Sequence, residues 1–223
     1  MTEPCRCVVL ASGNGSNLQA LLDGAAAGRL GAEVAGVVSN RPGAYALERA
    51  AAANVPTQVV DHTAFAEREG YDAVLAEAVA ALQPDLVVLA GYMRILTPAF
   101  VSRFADRMIN VHPSLLPAFR GLDTHRKALE AGCRIHGTTV HFVTDDLDAG
   151  PIIAQAATAV AADDTPESLA QRVQGLEHRL LPQAVRWFAE GRLRVQEGRV
   201  HLHGEAAQAG QLIAPALDAP GPE

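Results

Sequence analysis

Short apolar runs alternate with longer segments of helical periodicity through the first half of this chain, and no other feature restricts the fold as strongly. Cys5–Ala11, Val34–Ser39, Thr57–Val60, Leu86–Ala90 and Met108–His112 read as strands; Leu18–Ala27, Ala44–Ala53 and Tyr71–Leu82 between them read as helices. Strands that are apolar along their whole length are buried on both faces. The pattern therefore predicts an α/β fold with a mostly parallel sheet and helices on both faces. Ligands of such sheets lie beyond the carboxyl ends of the strands.

After Gly121 the pattern changes. A helix near Thr124–Ala131 precedes strands at Gly137–Phe142 and Ile152–Ala159, and the short turn Thr144–Pro151 between them predicts that the sheet becomes mixed in the C-terminal half. A long helix over about Pro166–Glu190 follows, then a hairpin of Arg192–Glu197 and Arg199–His203 around Gly198. From Gly204 onward Ala, Gly, Pro and Gln dominate without periodicity, which predicts a disordered tail over 204–223 after a single domain over 1–203. At 223 residues one α/β domain is the expected organisation.

Composition excludes several classes. Apolar residues make up 49% of the chain and the net charge is -7, so neither a disordered chain nor a general binder of nucleic-acid phosphates fits. Any anionic ligand must be held locally. Cys5, Cys7 and Cys133 are an odd count, with two of them on an apolar strand, and packing in a reducing compartment is their expected role. No run reads as a membrane span, and the start lacks a basic region followed by an apolar one. A cytoplasmic enzyme is expected.

Four segments carry candidate chemistry. Ser12-Gly13-Asn14-Gly15-Ser16-Asn17 sits between the first strand and the first helix, where backbone N–H groups can hold a phosphate. It matches neither the dinucleotide fingerprint nor the P-loop, and the alternative is a tight turn capped by Ser16 or Asn17. In Asn110-Val111-His112-Pro113-Ser114-Leu115-Leu116-Pro117, strand alternation puts Asn110 and His112 on one face. An amide donor beside an imidazole can steady an oxyanion while protons move, although a lone His at a strand end is commonly structural. Thr144-Asp145-Asp146-Leu147-Asp148-Ala149-Gly150-Pro151 offers three carboxylates; Asp145 and Asp146 read as a solvated turn, while Asp148 is placed to orient an imidazole. Gly91-Tyr92-Met93-Arg94-Ile95-Leu96 exposes apolar groups that either line a pocket for a flat ring or cover a helix end. His112, His125, His136 and His141 lack close metal-ligand spacing, so no metal is expected.

Taken together, SGNGSNLQAL, VVLAGYMRIL, INVHPSLLPAF, HGTTVHFV and TDDLDAGPI closely resemble the glycinamide ribonucleotide formyltransferases, folate-dependent enzymes of purine synthesis, over roughly Val8 to Val200. The resemblance implies the formyltransferase fold, Rossmann-like, with 10-formyltetrahydrofolate as co-substrate and an amine-bearing phosphorylated acceptor. It implies a phosphate-binding half over about 1–105 and a catalytic and folate half over about 106–203. Asn110, His112 and Asp148 resemble the family's catalytic trio, and Gly15, Ser16 and Asn17 its phosphate site. Gln174 and Glu177 resemble the contacts to ribose and amine. Arg68, Met93, Arg94, Ile95, Leu96 and the loop Thr144, Asp145, Asp146, Leu147 and Asp148, with Asn110, resemble the folate contacts. Asp123 departs from relatives that carry His there.

The partners so implied are small molecules, with no nucleic acid or membrane, and a monomer or homodimer is expected. Formyltetrahydrofolate hydrolase and methionyl-tRNA formyltransferase share the Asn/His/Asp arrangement but usually carry an additional module. A first strand close to residue 1 and a short stretch after His203 are expected to disfavour both. A non-catalytic nucleotide-binding module is the alternative of another class; it would have no need of all three trio residues.

Overall fold

The computed structural model describes residues 4–204. The predicted disorder beyond Gly204 falls outside the described residues. Seven strands form one sheet: β1 (Cys5–Ala11), β2 (Ala32–Ser39), β3 (Thr57–Val59), β4 (Leu86–Leu89), β5 (Met108–His112), β6 (Ile135–Phe142) and β7 (Ile152–Ala159), in the spatial order β3-β2-β1-β4-β5-β6-β7. The first five pair in parallel; β6 and β7 join antiparallel, as the short turn between them requires. A separate hairpin, β8 (Leu193–Gln196) and β9 (Arg199–Leu202), follows.

The helices are α1 (Ser16–Ala26), α2 (Tyr45–Ala52), α3 (Arg68–Ala81), α4 (Pro98–Arg103), α5 (Thr124–Glu130) and α6 (Pro166–Ala189), with a 3-10 turn at His62–Ala64. Sequence periodicity does not anticipate α4. Six residues are too few to show a period, and the signal is local: Thr97 accepts a hydrogen bond from the Phe100 N–H and Pro98 follows it in the first turn.

Period-two alternation sorts the strands between two cores. Cys7, Val9 and Ala11 of β1 face one side with Leu18, Leu21 and Leu181, whereas Val8 and Leu10 face the other with Tyr71, Leu75 and Phe100. Full burial of side chains such as Leu10, Leu75 and Phe100 contributes about 1.5–3 kcal/mol each. On β5, Ile109 and Val111 join the first core and Met108 the second. Asn110 and His112 therefore share the Met108 side of the sheet.

Along α6 a buried stripe runs Leu169, Val173, Glu177, Leu181, at a spacing of one turn. Glu177, singled out by the family resemblance, is the one carboxylate on that buried stripe. The helix starts with a reciprocal cap between Thr165 and Ser168. Between β1 and β4 the chain direction around the sheet reverses, so the turns after these strands open a crevice. Ser12 bridges the two turns: its N–H donates to Gly91 O at 3.1 Å, and its Oγ accepts from the Met93 N–H at 2.8 Å.

Candidate active site

The turn after β1 is built around Gly15, whose φ is 74°. A Cβ here would stand 2.7 Å from Ala46 Cα, so the approach of α2 as well as the dihedral excludes larger residues. No side chain caps α1. The expected alternative, a cap by Ser16 or Asn17, is replaced by another use of both: Ser16 Oγ accepts from Gln174 Nε2 at 3.0 Å, and Asn17 Nδ2 donates to Glu177 Oε2 at 2.8 Å. The first N–H groups of α1 therefore stay open toward a cavity of about 370 Å³ that Gly15, Ser16, Asn17, Gln174 and Glu177 all line. Burial pushes the Glu177 carboxyl above the usual carboxylate range, opposed by hydrogen bonds from Asn17 and Thr138.

Asn110, His112 and Asp148 converge on an adjoining cavity of about 550 Å³. Asn110 and His112 come from the end of β5, and Asp148 comes from the β6–β7 turn. His112 Nδ1 lies 3.4 Å from Asp148 Oδ2, both groups being almost fully buried. Asp148 is fixed by its left-handed backbone, φ 49°, and by the Gly121 N–H, which donates to Oδ2 at 2.8 Å. The other His112 nitrogen, Nε2, is 3.0 Å from Phe119 O; a carbonyl only accepts, so Nε2 carries a proton. Asp145 and Asp146 are exposed, as a solvated turn predicts.

Met93, Arg94 and Ile95 line the same cavity, with Met93 60% and Ile95 53% exposed. Leu96 is buried in the core against α3 and α4, so the segment both lines a pocket and covers the helices. A smaller recess of about 100 Å³, enclosed by Arg94, Ile95, Leu96 and Thr144 to Asp148, opens beside Asn110. The Arg94 guanidinium stacks on the Tyr71 ring, 4.7 Å from its centroid, and the Tyr71 hydroxyl is hydrogen-bonded to that of Tyr92. Arg68 is not brought in: it is exposed in the first turn of α3 and lines neither cavity. Asp123 stands at the start of α5 and pairs with Arg126 at 2.9 Å.

Sequence reasoning missed His141. It lies directly across the sheet from Asn110, and its Nε2 is 3.2 Å from Asn110 Nδ2 and 3.8 Å from Asp148 Oδ1. Only the antiparallel register reveals this, because 31 residues separate the two positions. The Phe119 carbonyl was equally invisible, being a backbone group of a loop. Among the described residues no three His, Cys, Asp or Glu side chains are arranged to hold a metal ion.

The family model for formyl transferase matches residues 5–185. This chain belongs to the formyl transferase family. Among its relatives, the phosphoribosylglycinamide formyltransferase of Escherichia coli is 50% identical over 198 residues, 89% of this chain and 93% of that protein. The enzyme of the same name from Haemophilus influenzae is 42% identical, covering 90% and 95%. The crystal structure of glycinamide ribonucleotide transformylase 1 from Symbiobacterium toebii superposes with a TM-score of 0.88 at 50% identity, over 90% of this formyl transferase and 94% of that chain. A formyltetrahydrofolate deformylase from Pseudomonas syringae matches with a TM-score of 0.84 at 30% identity, but this chain spans only 67% of it.

Proposed function

We propose that the protein transfers the formyl group of 10-formyltetrahydrofolate to the amine of phosphoribosylglycinamide, the step its relatives are named for. The observation that carries this is the meeting of Asn110, His112 and Asp148 in one cavity whose neighbour is lined by the open start of α1.

The substrate phosphate binds the N–H groups at Gly15, Ser16 and Asn17, and Gln174 with Glu177 holds the ribose and amine side. The recess beside Asn110, walled by Ile95, Leu96 and Leu147 with backbone of the Thr144 to Asp148 loop, suits a flat heterocycle. The amine attacks the formyl carbon; a C–N bond forms to the glycinamide nitrogen and the C–N bond to the folate nitrogen breaks. Asn110 offers its second Nδ2 hydrogen, the first being given to His141, to the oxygen that gains negative charge. His112 donates from Nε2 once Phe119 O yields that position to the formyl oxygen. Asp148, 3.4 Å from His112 Nδ1, accepts the proton from the attacking nitrogen and passes it to the leaving nitrogen.

No step requires a metal. The three cysteines are free, and no described helix is long and apolar enough to cross a membrane. Action in the cytoplasm, as a monomer or homodimer, belongs to the same proposal. Spectroscopic measurement of tetrahydrofolate release, with and without phosphoribosylglycinamide, tests the reading. Release dependent on the amine supports it. Equal release without the amine would make the protein a hydrolase, and none in either case a binding module.

A further inference from the structure

Next to the phosphate turn, on the far side of Ser16 from the trio, a groove of about 610 Å³ runs between α1 and α6. Its charge opposes that of the molecule. In a chain of net charge -7, Arg29, Arg49, Arg179 and Arg186 line this groove against the single carboxylate of Asp23. Arg186 is paired with Glu190 at 2.7 Å, but among the described residues Arg29, Arg49 and Arg179 have no carboxylate within 4.0 Å.

His178 Nε2 is shut off from solvent and has no hydrogen-bond partner. That nitrogen is closed to a ligand in the groove, so His178 contributes only wall surface. Pro182, Ala20 and Gly24 give the floor an apolar surface between the cations. The Arg49 fork is held by Asn14 and Gln19, which leaves the guanidinium groups of Arg29 and Arg179 above the apolar floor; confined to one groove, they suit a phosphorylated small molecule better than an extended polymer.

We propose that the α1–α6 groove is a second anion site, taking a small molecule with two or more phosphate charges, which adjoins the phosphate turn of the formyl-transfer site and shares Ser16 with it. Its ligand binds through Arg29 and Arg179. The site does not depend on the transfer reaction, so it can be measured without turnover.

Pyrophosphate is the probe. Calorimetric titration of the whole chain should show binding, weakened at least about tenfold in Arg29→Ala/Arg179→Ala, since two charge-assisted contacts are lost. Both side chains are exposed, and an unchanged thermal midpoint would show that the fold is kept. Amide shift changes in the wild-type chain should fall on α1 and α6 around Ala20, Gly24 and Arg179. Equal affinity in the double variant, or shifts confined to 12–17, would place the anion at the phosphate turn and overturn the proposal, as would no binding at millimolar probe.

Discussion

His141 accepts a hydrogen bond from Asn110 at 3.2 Å. Its other ring nitrogen, Nδ1, lies 2.8 Å from Phe142 O and must carry the proton there, which leaves Nε2 as an acceptor. Burial holds this imidazole below the ordinary histidine range, against opposing effects of the Phe142 carbonyl and Asp148. A neutral His141 therefore fixes which end of the Asn110 amide faces it. His141 is a positioning residue for the amide.

Replacing His141 by Ala frees the Asn110 amide to rotate. The expected result is a fall in kcat of about a hundredfold, the scale of a small misplacement, with KM for phosphoribosylglycinamide nearly unchanged. Because burial already keeps the ring neutral, His141→Gln, which can accept the same bond, should recover part of the loss. An unaltered kcat in a folded His141→Ala protein would remove this role.

For the trio, Asn110→Ala and His112→Ala should each lower kcat by roughly 10²–10³, the cost of one oxyanion donor. Asp148→Asn keeps an acceptor for the Gly121 N–H but loses the charge beside His112. Its activity should fall comparably while the folded far-ultraviolet spectrum stays intact. Near-normal steady-state turnover in any of the three would contradict the assignment.

Gly15→Ala tests the phosphate turn by shape. A methyl group meets Ala46 at 2.7 Å in a left-handed backbone, so stability should drop by about 1–3 kcal/mol and the turn should open. KM for phosphoribosylglycinamide should rise far more than KM for the folate. A parallel rise in both would show that the turn does not serve the phosphate.

Acid should weaken the fold through His136. Burial, with the neighbouring His125, lowers its pKa from 6.5 to about 4. The unfolded chain then takes up a proton that the folded chain refuses, so stability falls as pH drops from about 6.5 to about 4 and levels off below. Urea midpoints measured across that window should decline less steeply in His136→Gln. The same slope in both proteins would exclude His136 as a source.

Strand positions, the mixed sheet and the sharing of one face by Asn110 and His112 follow from the sequence by itself, because burial imposes a period of two along a strand. Glu177 enters through the family resemblance, and its place on the buried stripe of α6 is shown by the structure. Local chemistry also marks Gly15 and the Asp148 turn. Tertiary structure alone decides that His141 meets Asn110, that Phe119 turns its carbonyl to His112, that Arg68 stays outside the cavities and that four arginines share one groove. Such meetings depend on strand register and on where loops close, and periodicity reports which side of an element is buried, never what lies across from it.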